Sequence, residues 1–181
     1  MKKDIGIIPT IPTISKSLNL KKYDIMAITN IVIVGIKFPN ILDGLDTFPN
    51  FTLEPKNISS GEDEMIDYIL KIFKLNNSFC YIDFYLDKLS EEDKENLVNL
   101  VPEEDRKLLK ANLNIENYSN YFKVEHIKLI PFLTRLSTRE NFFITFYFTE
   151  IPITIWGNYG MKFPCFCLNQ KDLNFYINQL K

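Results

Sequence analysis

The sequence predicts an α+β fold, a mixed, mainly antiparallel sheet of five or six strands with helices packed on one face and a hairpin-rich C-terminal part. Three observations carry this. Alternating apolar residues recur between residues 79 and 86 and again between 142 and 167, which is the period of a strand. Between and after these runs, apolar residues fall three and four apart, the period of an amphipathic helix. With 181 residues, 46% of them hydrophobic, the chain can bury one substantial core but is short for two, so residues 1–181 are read as a single globular α+β domain.

Taken in order, the N-terminal MKKDIGIIPTIPTI puts charge before apolar residues as a signal peptide does. Asp4, Pro9 and Pro12 interrupt the run and no small-residue cleavage site follows, so it is read as mature protein. Tyr23 to Phe38 is rich in Ile and Val and is expected to form one long strand or two short ones, central and buried on both faces. Its apolar run from Ile25 to Ile36 falls short of the roughly 20 residues of a membrane helix. A cytoplasmic protein without membrane contact is the expectation. From Phe38 to Asn57, Pro39, Gly44, Pro49 and Pro55 predict an irregular connection.

A helix is predicted from Ser59-Ser60, with Glu62, Asp63 and Glu64 at the positive end of its dipole and Met65, Ile66, Ile69, Leu70 and Phe73 facing the core. Asn76-Asn77 ends it. A strand over Phe79 to Leu86 sets Cys80, Ile82, Phe84 and Leu86 on one apolar face. Ser90, with Asp93 three residues on, opens a second helix, and Pro102 suits the start of a third. A polar connection runs from Asn112 to Asn120, followed by a helix over KVEHIKLIPFLTRLSTRE in which Pro131 either kinks the helix or starts a new turn. NFFITFYFTEIP and IPITIW read as strands, WGNYG as the turn to a further strand, and the last residues as a closing helix with Leu173, Tyr176, Ile177 and Leu180 inward.

Three cysteines cannot all pair with one another, and Met161, Phe163, Cys165 and Cys167 share one strand face by the period of two. They are expected to be buried thiols, with Cys80 lining the same core. A zinc site would need ligands beyond these and the single His126, so no metal and no cofactor is expected. His126, with Leu129, Ile130 and Leu133 three, four and seven residues on, reads as a structural histidine beside the core. Asp83, Glu125 and Glu150 are the carboxylates that convergence could turn into a site. Lys128, Arg135 and Arg139 are placed on an exposed helix side, with Phe132 between them.

A formal net charge of −2 gives no general attraction for phosphate backbones, so nucleic acid is not an expected partner. No phosphate-binding Gly-rich loop, nucleophile elbow or H-E-x-x-H is present. The sequence therefore points away from an enzyme and towards a non-enzymatic protein-binding domain. A small inhibitor such as a toxin-immunity protein fits, and the heavy use of Ile, Asn, Lys, Phe and Tyr suggests an AT-rich bacterial or phage source. The expected partner is another protein with a basic surface, met by Glu91, Glu92, Asp93, Glu103, Glu104 and Asp105, with Trp156 and Tyr159 as aromatic anchors if they are exposed; the alternative for Trp156 is cover by a helix. The alternatives are a small hydrolase or transferase using carboxylates and His126, and a structural homo-oligomer, such as a homodimer, formed through a sheet edge or the Trp156-Tyr159 turn.

Overall fold

The computed structural model describes residues 26–27, 41–83, 85, 88–113 and 121–181. They form the strands β1 (Met26–Ala27), β2 (Asn50–Leu53), β3 (Cys80–Asp83), β4 (Tyr121–Val124), β5 (Thr145–Phe148), β6 (Ile153–Trp156) and β7 (Phe163–Cys167). The helices are α1 (Ile41–Thr47), α2 (Gly61–Leu75), α3 (Glu91–Leu100), α4 (Glu103–Leu113), α5 (Leu129–Thr138) and α6 (Gln170–Leu180). The strands line up as β1-β4-β3-β5-β6-β7-β2, and every pairing among the described residues is antiparallel. Six strands of four or five residues make the body of the sheet, and β1 adds two residues at its end.

Register explains why one face is the core. Val124, Cys80, Phe148 and Ile153 lie on it in neighbouring strands, as do Phe122, Ile82, Phe146, Ile155 and Cys165, because paired residues point the same way. These residues join Met65, Ile69, Ile72 and Phe73 of α2, the apolar side of α5, and Leu173 and Tyr176 of α6 in one buried cluster. The helices therefore cover one face, as the alternation predicted. On the other face stand Tyr81, Asp83, Lys123, Tyr147, Thr154, Trp156 and Phe166.

Local signals fix the helix ends. Ser90 Oγ accepts from Asp93 N at 3.1 Å to open α3, and Asn169 Oδ1 accepts from Asp172 N at 3.0 Å to open α6. Pro131 is the third residue of α5, where its missing N–H has no intrahelical partner, so it starts the helix without kinking it. Asn76, which ends α2, is fully buried. It donates to the Tyr176 hydroxyl at 2.8 Å and accepts from Ile151 N at 2.9 Å, while that hydroxyl donates to Ile151 O at 2.6 Å. This closed ring ties α2, α6 and the β5–β6 turn together with its polar atoms satisfied.

Several expectations need correction. Of the segment from Tyr23 to Phe38 only Met26–Ala27 is described. It pairs with β4 at the end of the described sheet and is not central, and the rest lies outside the described residues. The connection from Phe38 to Asn57 holds α1 and β2, because Pro49 and Pro55 punctuate these elements without entering them. The helix predicted from Lys123 begins only at Leu129. Residues 121–124 are instead the strand β4, whose Phe122 and Val124 complete the core beside β3. Phe84 and Leu86, placed on the apolar face of the third strand by their spacing, lie outside the described residues.

Candidate functional site

The strand FPCFC is buried along its whole length, and Cys80, Cys165 and Cys167 are free thiols on the helix-covered face. β5 and β6 stand between β3 and β7, so the three line one core without being strand neighbours. Burial raises all three thiols, Cys167 to about 12, which keeps them protonated and poor as nucleophiles or ligands. Among the described residues no group of three or more His, Cys, Asp or Glu is placed to hold a metal ion.

The acidic residues of α3 and α4 divide into an inner and an outer set. Asp105, only 2% exposed, receives two parallel bonds from Arg135 of α5, both at 2.6 Å. Glu104 lies 3.9 Å from the same guanidinium. The bond to Asp105 above all holds the Arg135 proton more tightly than usual, against the opposing effect of burial. Asp105 is thus a structural residue of the hairpin's inner side, where Leu97, Val101 and Leu109 also enter the core.

Facing out are Glu91, Glu92, Asp93, Glu103 and Glu104. Glu91 pairs with Lys94 and Glu103 with Arg106, each one helical turn on, and Asp93 closes the α3 cap with Ser90. Exposed pairs of this kind are worth little and give way readily to another cation. Where α3 passes into α4, Leu100 is 63% exposed, three and four residues before Glu103 and Glu104. An exposed apolar side chain at the junction of two helices with acidic starts is the most interface-like feature of this hairpin.

Trp156 and Tyr159 contact different aromatic partners. Trp156 is half-buried on the sheet face away from the helices, edge-on to Phe166 with ring centroids 6.2 Å apart. Tyr159 is 66% exposed and edge-on to Phe143 at 4.7 Å. Just after Tyr159, Gly160 takes φ 63°, as the turn predicted, and its N–H donates to Glu140. Gly157 serves a different purpose. A Cβ there would stand 2.3 Å from Ser137 Oγ and 2.8 Å from Ile144 O, so it is a glycine of close approach.

The remaining candidates scatter. His126 is exposed in the turn before α5 and not beside the core, because the helix starts three residues after it. The basic side predicted for α5 is not a free surface: Phe132 is fully buried, Arg135 is held by Asp105, and Arg139 makes two bonds to Glu62 at 2.7 and 2.6 Å. Lys128 precedes the helix. The bonds from Arg139 first, then from Thr138, hold the Glu62 carboxyl below its usual range.

Asp83 is buried on the sheet face away from the helices, accepting from Thr145 N at 2.7 Å and from the Tyr147 hydroxyl at 3.3 Å. Burial nevertheless raises it. Glu125 lies four residue steps away along the strands, about 13 Å, and Glu150 sits in the β5–β6 turn with β3 between it and β4. The three carboxylates do not converge.

Comparison with protein families, with characterised proteins and with solved structures found no match to this chain. No described helix is long and apolar enough to cross a membrane. Two features lay beyond the sequence reading. The exposure of Leu100 had no signal, since it stands three residues after Leu97 and beside Val101, at the spacing of a core-facing residue, and only the end of α3 there leaves it outside the core. The Glu62–Arg139 and Asp105–Arg135 pairs join residues 77 and 30 apart in sequence and had none.

Proposed function

We propose that this protein is a non-catalytic binding domain that meets a protein partner with a basic surface through the outer side of the α3–α4 hairpin. The observation that carries the reading is Leu100, exposed at the helix junction three and four residues before the exposed Glu103 and Glu104 that open α4. Apolar anchors inside a charged rim are where binding energy concentrates, and the rim sets the sign of the partner and the rate of encounter. Burial of Asp105 against Arg135 makes the hairpin a fixed support for that surface, so little ordering entropy opposes association. A small cytoplasmic inhibitor such as a bacterial or phage toxin-immunity protein has these requirements: a compact fold, an acidic face and no chemistry of its own.

The test is capture from source-cell lysate by the wild-type chain and by a chain carrying Glu92→Lys, Glu103→Lys and Leu100→Asp, at rising salt. A single stoichiometric partner with an excess of Lys and Arg, lost in the variant and released by salt, is the expected result. Equal capture by a variant whose thermal midpoint is unchanged would contradict the reading.

A further inference from the structure

At the end of the described sheet, β2 pairs with β7 on one side and with no described strand on the other. In an antiparallel pair, residues that exchange backbone bonds with the neighbour alternate with residues whose N–H and C=O point away from it. Cys167 N donates to Pro49 O at 2.8 Å, and the register then sets Phe51 opposite Cys165 and Leu53 opposite Phe163. Pro49, Phe51 and Leu53 therefore bond towards β7, and the N–H and C=O of Asn50 and Thr52 point outward. The bond from Leu168 N to Pro152 O agrees, since it turns the alternate residues of β7 towards β6.

Thr52 is exposed and Phe51 half-buried. Edge strands are ordinarily blunted by an internal charge, a bulge or a proline. Asn50–Leu53 has none of these, and Pro49 and Pro55 stand only at its flanks, leaving both outward N–H groups in place.

We propose that β2 is a self-association site, at which two copies pair β2 to β2, antiparallel, about a twofold axis at Phe51. Self-complementarity favours a second copy over another extended peptide. With the axis at Phe51, each Asn50 meets the other copy's Thr52, and the outward donors and acceptors of both residues are all used. A shift by one residue sets outward groups against inward ones, and a shift by two leaves one outward residue of each copy unmatched. In the matched register the two Phe51 side chains lie opposite each other on the helix-covered face, at a position without ladder bonds where Cα atoms stand about 4.5 Å apart. Pairing thus extends the apolar layer where Phe51 is half-exposed. This inference is independent of the α3–α4 surface.

The experiment measures mass against concentration by light scattering for the wild-type chain and for Thr52→Pro. Proline is tolerated there by the monomer, because the outward N–H has no ladder partner among the described residues. The wild type should rise from the mass of one chain towards that of two, while Thr52→Pro stays at one with its thermal midpoint kept. In parallel, Phe51→Cys and Thr52→Cys are oxidised. The native thiols are buried, so a covalent dimer should form readily at position 51 and not at position 52. A single-chain mass for the wild type at every concentration, as expected if the edge serves a different peptide, would overturn the proposal. So would a Thr52→Pro chain that dimerises as the wild type does, or cross-linking at position 52 as fast as at 51.

Discussion

Gly157 has no side chain because the space is taken: Ser137 Oγ and the Ile144 carbonyl occupy the place of a Cβ. Since Ile144 O also accepts from Gly157 N at 2.9 Å, the backbone has little room to retreat. Gly157→Ala should cost about 2 kcal/mol, within the range for overpacking, seen as a lower urea midpoint at an unchanged slope. Asp83 gives a second prediction at this scale. Its folded pKa is raised above the ordinary carboxyl value, so its contribution to stability is fully present below that value and is lost as pH rises through the folded pKa. Asp83→Asn should remove this loss, and urea unfolding from acid to neutral pH should show a flatter profile for the variant. The cysteines were legible because a period of two assigns a face without knowledge of the neighbours. His126 was misplaced because its spacing to Leu129, Ile130 and Leu133 imitates a helix that begins only at Leu129. The exposure of Arg135 was misread because its partner comes from α4, while Arg139 is exposed as expected but already paired with Glu62 of α2.

The α3–α4 hairpin shows what an element owes to a long-range contact. Its caps and its two acidic starts are local and readable from Ser90, Asp93 and Pro102. Its seat on α5 depends on Asp105, and removing that carboxylate leaves the Arg135 guanidinium, 17% exposed, without its closest counter-charge. Asp105→Ala should cost about 3 kcal/mol. Amide exchange should speed up in α3 and α4 before it does in β5 to β7. Equal acceleration everywhere would show instead that the pair supports the whole fold. β4 was hidden because Phe122 and Val124 give only two turns of alternation before an apolar spacing typical of a helix takes over, and only its pairing with β3 identifies it. By the same logic α1 and β2 were missed: four prolines and glycines in the connection outweighed the β-forming Phe51-Thr52 pair, whose partner β7 is more than 100 residues away.

For the molecule as a whole, alternation foretold an antiparallel sheet with one helix-covered face, while the strand order, which depends on pairing at a distance, could not be read. The chain's response to acid follows from the assembled charges. Glu62 is held below its usual value by Arg139 and Thr138, so its contribution is present above the unfolded pKa and is lost as pH falls through the folded one. Asp83 acts in the opposite sense, and wild-type stability should pass through a maximum between acid and neutral pH, with Arg139→Gln flattening the rise on the acid side and lowering stability most above the unfolded Glu62 pKa, where the pair contributes. Above these the central claim is that the α3–α4 surface binds a protein. The most direct measurement places a photo-reactive phenylalanine analogue at position 100 or, on α6, at the exposed position 174, and irradiates each chain in source-cell lysate. One basic protein cross-linked from position 100, suppressed by salt and absent from position 174, is the outcome this account predicts. No adduct at position 100, or the same adducts from both positions, would contradict it.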